Sequence, residues 1–231
     1  MPLGYLTPFA SLAPLAPLVL PGVYAPQQDT ALLADALCDE PLAPAAHVLD
    51  VGTGSGALAL AAARRGTRVT AVDVSWPAVC TARLNARLAR RPVRVLRGNL
   101  FDPVAGQSFD LILANPPYVP TPATETARRG RTRAWNAGGD GRLVLDRICR
   151  DAPQRLRPGG VLLMVHSALS GPAGTLEQLR AAGLKAAVAR RRRIAYGPVL
   201  RAREGWLRER GMLASDDDRE ELVVIRAERP S

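Results

Sequence analysis

Apolar residues along this chain follow two spacings. Short apolar runs bounded by glycine, proline or charge read as buried strands, and longer stretches with apolar positions three and four apart read as helices. In chain order the pattern predicts a helix over residues 28–37, with Asp29 or Thr30 as its cap, and then a strand at 47–51. An Ala/Leu-rich helix follows at 57–65, a strand at 68–72, a helix at 76–90, and strands at 93–97 and 109–114. A helix over 143–156 leads through Arg157-Pro158-Gly159-Gly160 to a fifth strand at 161–165, and another helix covers 174–182. Residues 184–189 and 222–226 read as the two last strands. Strands that alternate with helices build a mostly parallel sheet covered on both faces, so the expectation is an α/β fold on a seven-stranded sheet.

Three stretches break this rhythm. Residues 1–23 read as an irregular arm, interrupted by Pro2, Pro8, Pro14, Pro17 and Pro21. Residues 119–141 form a long polar connection after the fourth strand, a length usual for functional or mobile loops. Within it, Arg128, Arg129, Arg131 and Arg133 suggest a lid over the target, with Trp135 anchoring its far end. Residues 190–218 separate the last two strands and carry Arg190–Arg193, an arginine-rich stretch at 197–211 and Asp216–Asp218. Those charge runs read first as a solvated surface helix and a polar turn. With no internal repeat and no boundary signal, the 231 residues read as a single domain.

Composition changes this picture little. Hydrophobic content of 47% is ordinary, and aromatics at 4% leave Ala, Val and Leu to fill the core. The net charge of +10 raises a nucleic-acid partner. Against it, Lys185 is the only lysine, and an excess of arginine beside many Ala, Gly and Pro residues is also what a GC-rich genome produces. Cys38, Cys80 and Cys149 lie far apart and His47 and His166 stand alone, so neither a disulfide framework nor a metal site is legible. The N-terminus lacks a basic region ahead of its apolar residues, and no apolar run is long enough to span a bilayer, which points to a cytoplasmic protein.

The candidate chemistry begins at residues 48–58, VLDVGTGSGAL: a strand, a glycine turn and a helix start. Gly52, Thr53, Gly54 and Gly56 let backbone approach a ligand closely, and the helix N-terminus supplies free N–H groups. Asp73 follows the second strand, with Val74 beside it, where a carboxylate can accept both hydroxyls of a ribose. Read through Ala57, the turn also passes as a dinucleotide fingerprint. Two details favour S-adenosylmethionine. Asp50 suits an ammonium group and would repel a pyrophosphate, and Asn99 and Leu100 end the third strand where an adenine can be held by its amine and by packing.

The fourth strand runs straight into Asn115-Pro116-Pro117-Tyr118. This corner can hold a planar NH2 group. The Asn115 side-chain oxygen and the Pro116 carbonyl each accept one N–H, the prolines stiffen both acceptors, and Tyr118 stacks on the flat group. The nitrogen lone pair then faces a sulfonium methyl, and no general base is needed early.

Together these residues resemble the class I methyltransferases of the HemK type, which use S-adenosylmethionine to methylate the glutamine amide of release-factor Gly-Gly-Gln loops. The resemblance runs from about Val23 to Val165 and is closest to the short, single-domain branch without an N-terminal helical substrate domain. VYAPQQDTALLADAL at 23–37 is similar to that branch's opening segment, whose threonine at the position of Thr30 touches the cofactor. AWNAGGDGRLVLDR at 134–147 is similar to its segment after the substrate loop. The resemblance implies a Rossmann-like fold, a release factor as substrate, and a small zinc-ribbon activator pairing along a sheet edge. The sequence departs from the family where Asn99 stands for a usual Asp, where Gln27 and Gln28 replace a more acidic stretch, and where the arginine-rich residues 192–213 have no counterpart. Planar amines of adenine or cytosine in RNA or DNA fit the same corner, as do small-molecule amines, and a non-catalytic binder of the cofactor is a further class. A chain without a spare domain for sequence readout argues against sequence-specific DNA work.

Overall fold

The computed structural model describes residues 17–123, 136–214, 216 and 218–231. Seven strands form one sheet: β1 (His47–Val51), β2 (Arg68–Asp73), β3 (Val93–Arg97), β4 (Phe109–Ala114), β5 (Leu156–Ser167), β6 (Lys185–Ala195) and β7 (Arg219–Glu228). Their order across the sheet is β3-β2-β1-β4-β5-β7-β6. All neighbours up to β5 are parallel, and β7 is antiparallel to both β5 and β6. The helices are α1 (Gln28–Asp39), α2 (Ala57–Arg64), α3 (Trp76–Leu88), α4 (Leu145–Asp151), α5 (Pro172–Ala181) and α6 (Pro198–Glu209). Successive residues Leu111–Ala114 of β4 and Leu162–Val165 of β5 are all fully buried, so both faces of the sheet are covered. As the composition implies, the core is mostly Val, Leu and Ala. The described part of the N-terminal arm is irregular, and Asn85 of α3 pins it by exchanging hydrogen bonds with both backbone groups of Leu18 (3.0 and 2.9 Å).

Four expectations need correction. Neither Asp29 nor Thr30 caps α1, since Gln27 holds the cap position and both residues lie inside the first turn. The helix expected over 143–156 ends at Asp151, because Pro153 opens a short 3-10 turn and cannot extend an α-helix. Leu156 is already in β5, and the Arg-Pro-Gly-Gly stretch is a bulge inside that strand, opposite the register shift between Phe109 and Leu111. The last strands are longer than their apolar runs: Arg190–Arg193 belongs to β6 instead of a surface helix. Arg190 and Arg192 share one side of that edge strand and pair with Asp39 and Asp35, one turn apart on α1. Arg191 points the other way and pairs with Glu221 of β7 at 2.7 Å. The connection between the last strands therefore begins after Ala195, and its helix α6 buries Leu200, Arg203 and Leu207.

Gly160 fixes the bulge, because a Cβ there would lie 2.9 Å from the backbone oxygens of both Arg157 and Phe109. Gly160→Ala is expected to destabilise the fold by about 2 kcal/mol, as overpacking against rigid backbone does. A urea titration with an unchanged midpoint would show that the bulge yields freely.

Candidate active site

A cavity of about 620 Å³ opens at the carboxyl ends of β1, β2, β3 and β4. Such crevices arise where neighbouring parallel strands send their connections to opposite faces, here between β1 and β4. The glycine turn after β1 forms one wall. Gly52 has φ +72°, and no heavy atom lies within 4 Å of where its Cβ would stand, so its backbone faces open space. Gly56, φ +84°, does a different job: a Cβ there would sit 3.1 Å from that of Ala82, so the glycine lets α3 close onto the start of α2. Thr53 and Gly54 also line the cavity.

The two aspartates of this region have different surroundings. Asp73 lines the cavity, and its two oxygens accept the backbone N–H groups of Ser75 (2.8 Å) and Gly54 (2.9 Å). Burial raises its pKa despite these bonds. Asp50 is 1% exposed and lies behind the turn, not among the lining residues. Its Oδ2 accepts from the Thr53 hydroxyl at 2.6 Å and the Ala59 N–H at 3.0 Å, while Oδ1 has no partner. Desolvation pushes its pKa up to about 6. Asp50 therefore organises the turn from beneath. Val74, Asn99 and Leu100 line the cavity as the strand ends require. Asn99 also accepts a 3.3 Å bond from Arg147.

Asn115 follows β4 directly and reaches Thr30 of α1. Its amide Nδ2 donates to Thr30 Oγ1 at 3.3 Å, which leaves the amide oxygen to the cavity. The Thr30 hydroxyl donates in turn to Asp29 Oδ1 at 3.2 Å. The other oxygen of Asp29 accepts two tyrosine hydroxyls, Tyr24 at 2.8 Å and Tyr118 at 3.2 Å. Burial and the neighbouring Asp29 charge raise the pKa of both phenols, so they stay protonated as donors. Asp29, 3% exposed, is thus the hub that orients Asn115 through Thr30 and Tyr118 directly.

The backbone beyond Tyr118 is held as firmly. Ser170 donates to the Tyr118 carbonyl at 2.7 Å, and a Cβ on Gly141 would come within 2.2 Å of that same oxygen. Arg203 reaches in from α6 to donate to the carbonyls of Val119 (2.9 Å) and Pro120 (3.2 Å). Arg203 and Glu220 line the cavity too. Tyr24, Asp29 and Arg147 fall within the segments 23–37 and 134–147 without being singled out there, and no local motif marks Arg203 or Glu220. Of the expected lid, Arg128, Arg129, Arg131, Arg133 and Trp135 lie outside the described residues.

Residues 18–131 match the family described as the methyltransferase small domain. The chain is 34% identical to a putative protein N5-glutamine methyltransferase of Methanocaldococcus jannaschii, over 78% of this chain and 90% of that one. It is 39% identical to the release factor glutamine methyltransferase of Gloeobacter violaceus, over 78% of this chain but only 66% of that longer protein. Among solved structures, the E. cuniculi Mtq2–Trm112 complex, responsible for methylation of the eRF1 termination factor, superposes with a TM-score of 0.63 at 24% identity. The match covers 90% of this chain and 99% of that one. That likeness supports the Rossmann-like methyltransferase fold.

The hub makes a stability prediction. Asp29→Ala leaves the hydroxyls of Tyr24, Thr30 and Tyr118 without their acceptor and is expected to lower unfolding free energy by on the order of 3 kcal/mol, against about 1 kcal/mol for Tyr24→Phe. Equal, small losses for both variants in urea denaturation would remove Asp29 from that role.

Proposed function

The chain belongs to the protein N5-glutamine methyltransferase family, and on that premise we propose that it methylates the glutamine side-chain amide of the Gly-Gly-Gln motif in a peptide chain release factor. The observation that carries this reading is the orientation of Asn115. With its N–H engaged by Thr30, its oxygen is presented to the cavity as a hydrogen-bond acceptor. The Pro116 carbonyl, next along the chain, is the second acceptor for a planar NH2 group. Tyr118, held by Asp29, flanks the same place.

The cofactor half of the cavity fits S-adenosylmethionine. The open, positive-φ backbone of Gly52 provides the cradle, joined by Thr53, Gly54 and the N-terminus of α2. The Asp73 carboxylate would take the ribose hydroxyls, and Val74, Asn99 and Leu100 would enclose the adenine. Thr30 stands between the two halves. When bound, the cofactor supplies an electrophilic methyl on a sulfonium. The chain's own part is to hold the amide nitrogen in line with it, and positioning of this kind supplies much of the rate. As positive charge grows on that nitrogen, its N–H groups become better donors, so the Asn115 and Pro116 acceptors bind the transition state more tightly than the ground state.

A small activator subunit belongs to the same reading, supported by the two-protein composition of the E. cuniculi structure. The cytoplasm is the compartment where a release factor would be met. No helix among the described residues is long and apolar enough to cross a membrane.

Two tests separate cofactor from acceptor. Asp73→Ala is expected to weaken S-adenosylmethionine binding by on the order of 1.5–3 kcal/mol in calorimetry, the range for charged hydrogen bonds. Binding of NAD in its place would overturn the cofactor assignment. Incubation of full-length release factor with enzyme and S-adenosylmethionine should add one methyl, located by mass spectrometry at the Gly-Gly-Gln glutamine. The factor's Gln→Glu variant should take none, and Asn115→Ala should lose turnover by orders of magnitude with cofactor affinity nearly intact. Label found on RNA alone would favour the exocyclic-amine alternative.

A further inference from the structure

We propose that Glu220 binds the acceptor peptide, its carboxyl group accepting an N–H from the segment that carries the target amide. This deepens the glutamine methyltransferase reading and rests on it. The argument begins with strand direction. Because β7 is antiparallel to β5, its start reaches the edge of the sheet where β1 to β5 end. Along that edge, in sheet order, stand Asn99, Asp73, Gly52, Asn115, Ser167 and Glu220. The groups suited to the cofactor occupy the β3-β2-β1 side. Asn115 marks the divide, and Glu220 lies beyond it, on the acceptor side.

The second observation is an unmet hydrogen bond. Glu220 is 5% exposed and lines the cavity, yet its Oε1 is buried without a partner. A buried oxygen in that state destabilises the protein unless a ligand supplies a donor. The neighbours do not supply one. The Ser167 hydroxyl oxygen accepts from the Leu169 N–H at 3.2 Å, and Oε1 stays without a partner beside it. Tyr24 and Tyr118 give their hydroxyls to Asp29. Arg203 gives its Nη1 to the Val119 and Pro120 carbonyls.

The charge of the surroundings selects the ligand. Burial and the Asp29 charge push the Glu220 pKa up to about 7. Ionised or protonated, the group keeps a lone pair for a neutral N–H, whereas an anionic ligand would meet Asp29 and Glu220 together. A glycine-flanked glutamine suits the place, since its backbone N–H groups carry no neighbouring side chains to bar a close approach.

The test is steady-state methyl transfer to full-length release factor by the full chain, with cofactor affinity and melting temperature measured on the same preparations. Glu220→Ala should raise KM for the factor by about tenfold, the loss of one good hydrogen bond, with S-adenosylmethionine affinity unchanged. Glu220→Gln retains an acceptor oxygen and should recover most of the affinity. Glu220→Met removes the unmet polar atom and is expected to melt no lower than the wild type while binding the factor poorly. Unchanged KM in all three variants, or lower melting temperatures with KM unmoved, would make Glu220 a structural residue and overturn the proposal. If the wild-type enzyme methylates a different acceptor, the glutamine reading fails by itself, and the same comparison on that acceptor judges Glu220 separately.

Discussion

One buried carboxylate ties the reactive end of this molecule together. Asp29 takes hydroxyls from Tyr24, ahead of α1, from Thr30 within it, and from Tyr118, just after β4. Three pieces of backbone that share no sheet ladder are thereby fixed to one another at the mouth of the crevice. Asn115 inherits its orientation from this hub, because its amide donates to the Thr30 hydroxyl that Asp29 holds. The prolines stiffen the corner locally. Asp29, Ser170 and Arg203 decide where the stiff piece sits.

The same edge concentrates carboxyl groups whose ionisation burial opposes. Asp50 rises from 3.8 to about 6 and Glu220 from 4.5 to about 7, with Asp73 shifted in the same direction. Each holds its proton more tightly folded than unfolded. Their contribution to stability is therefore fully present below the unfolded values, and it is lost as pH rises through the raised ones. At neutral pH the free protein carries this strain at its ligand edge.

The sequence made the left half of the sheet legible and the right half much less so. β1 to β4 are short apolar runs between glycine and charge, and their ends carry Gly52, Asp73, Asn99 and Asn115 in readable order. β6 was read only as far as residue 189 because its outer part is arginine. What keeps it extended is pairing with β7 and with Asp35 and Asp39 of α1, and neither leaves a periodic apolar signal. Asp29 passed for a helix cap because its partnership with Tyr118 spans 89 residues of chain. Asp50 was read from its charge and its place before the first glycine, and its bonds to Thr53 and Ala59 within the turn leave no such local signal. Glu220 escaped because only the reversed direction of β7 brings a strand's beginning, not its end, to the crevice.

The arginine row of β6 also bears on how molecules meet one another. An open edge strand is a template for its own copy, and a flat apolar edge invites chains to stack into fibrils. Here a second molecule approaching edge to edge would bring guanidinium against guanidinium along the strand, on a chain of net charge +10. The ion pairs to α1 hold part of that row in place, so the barrier does not relax as the side chains move. Self-assembly by strand addition is thus discouraged at β6, at the margin of the sheet.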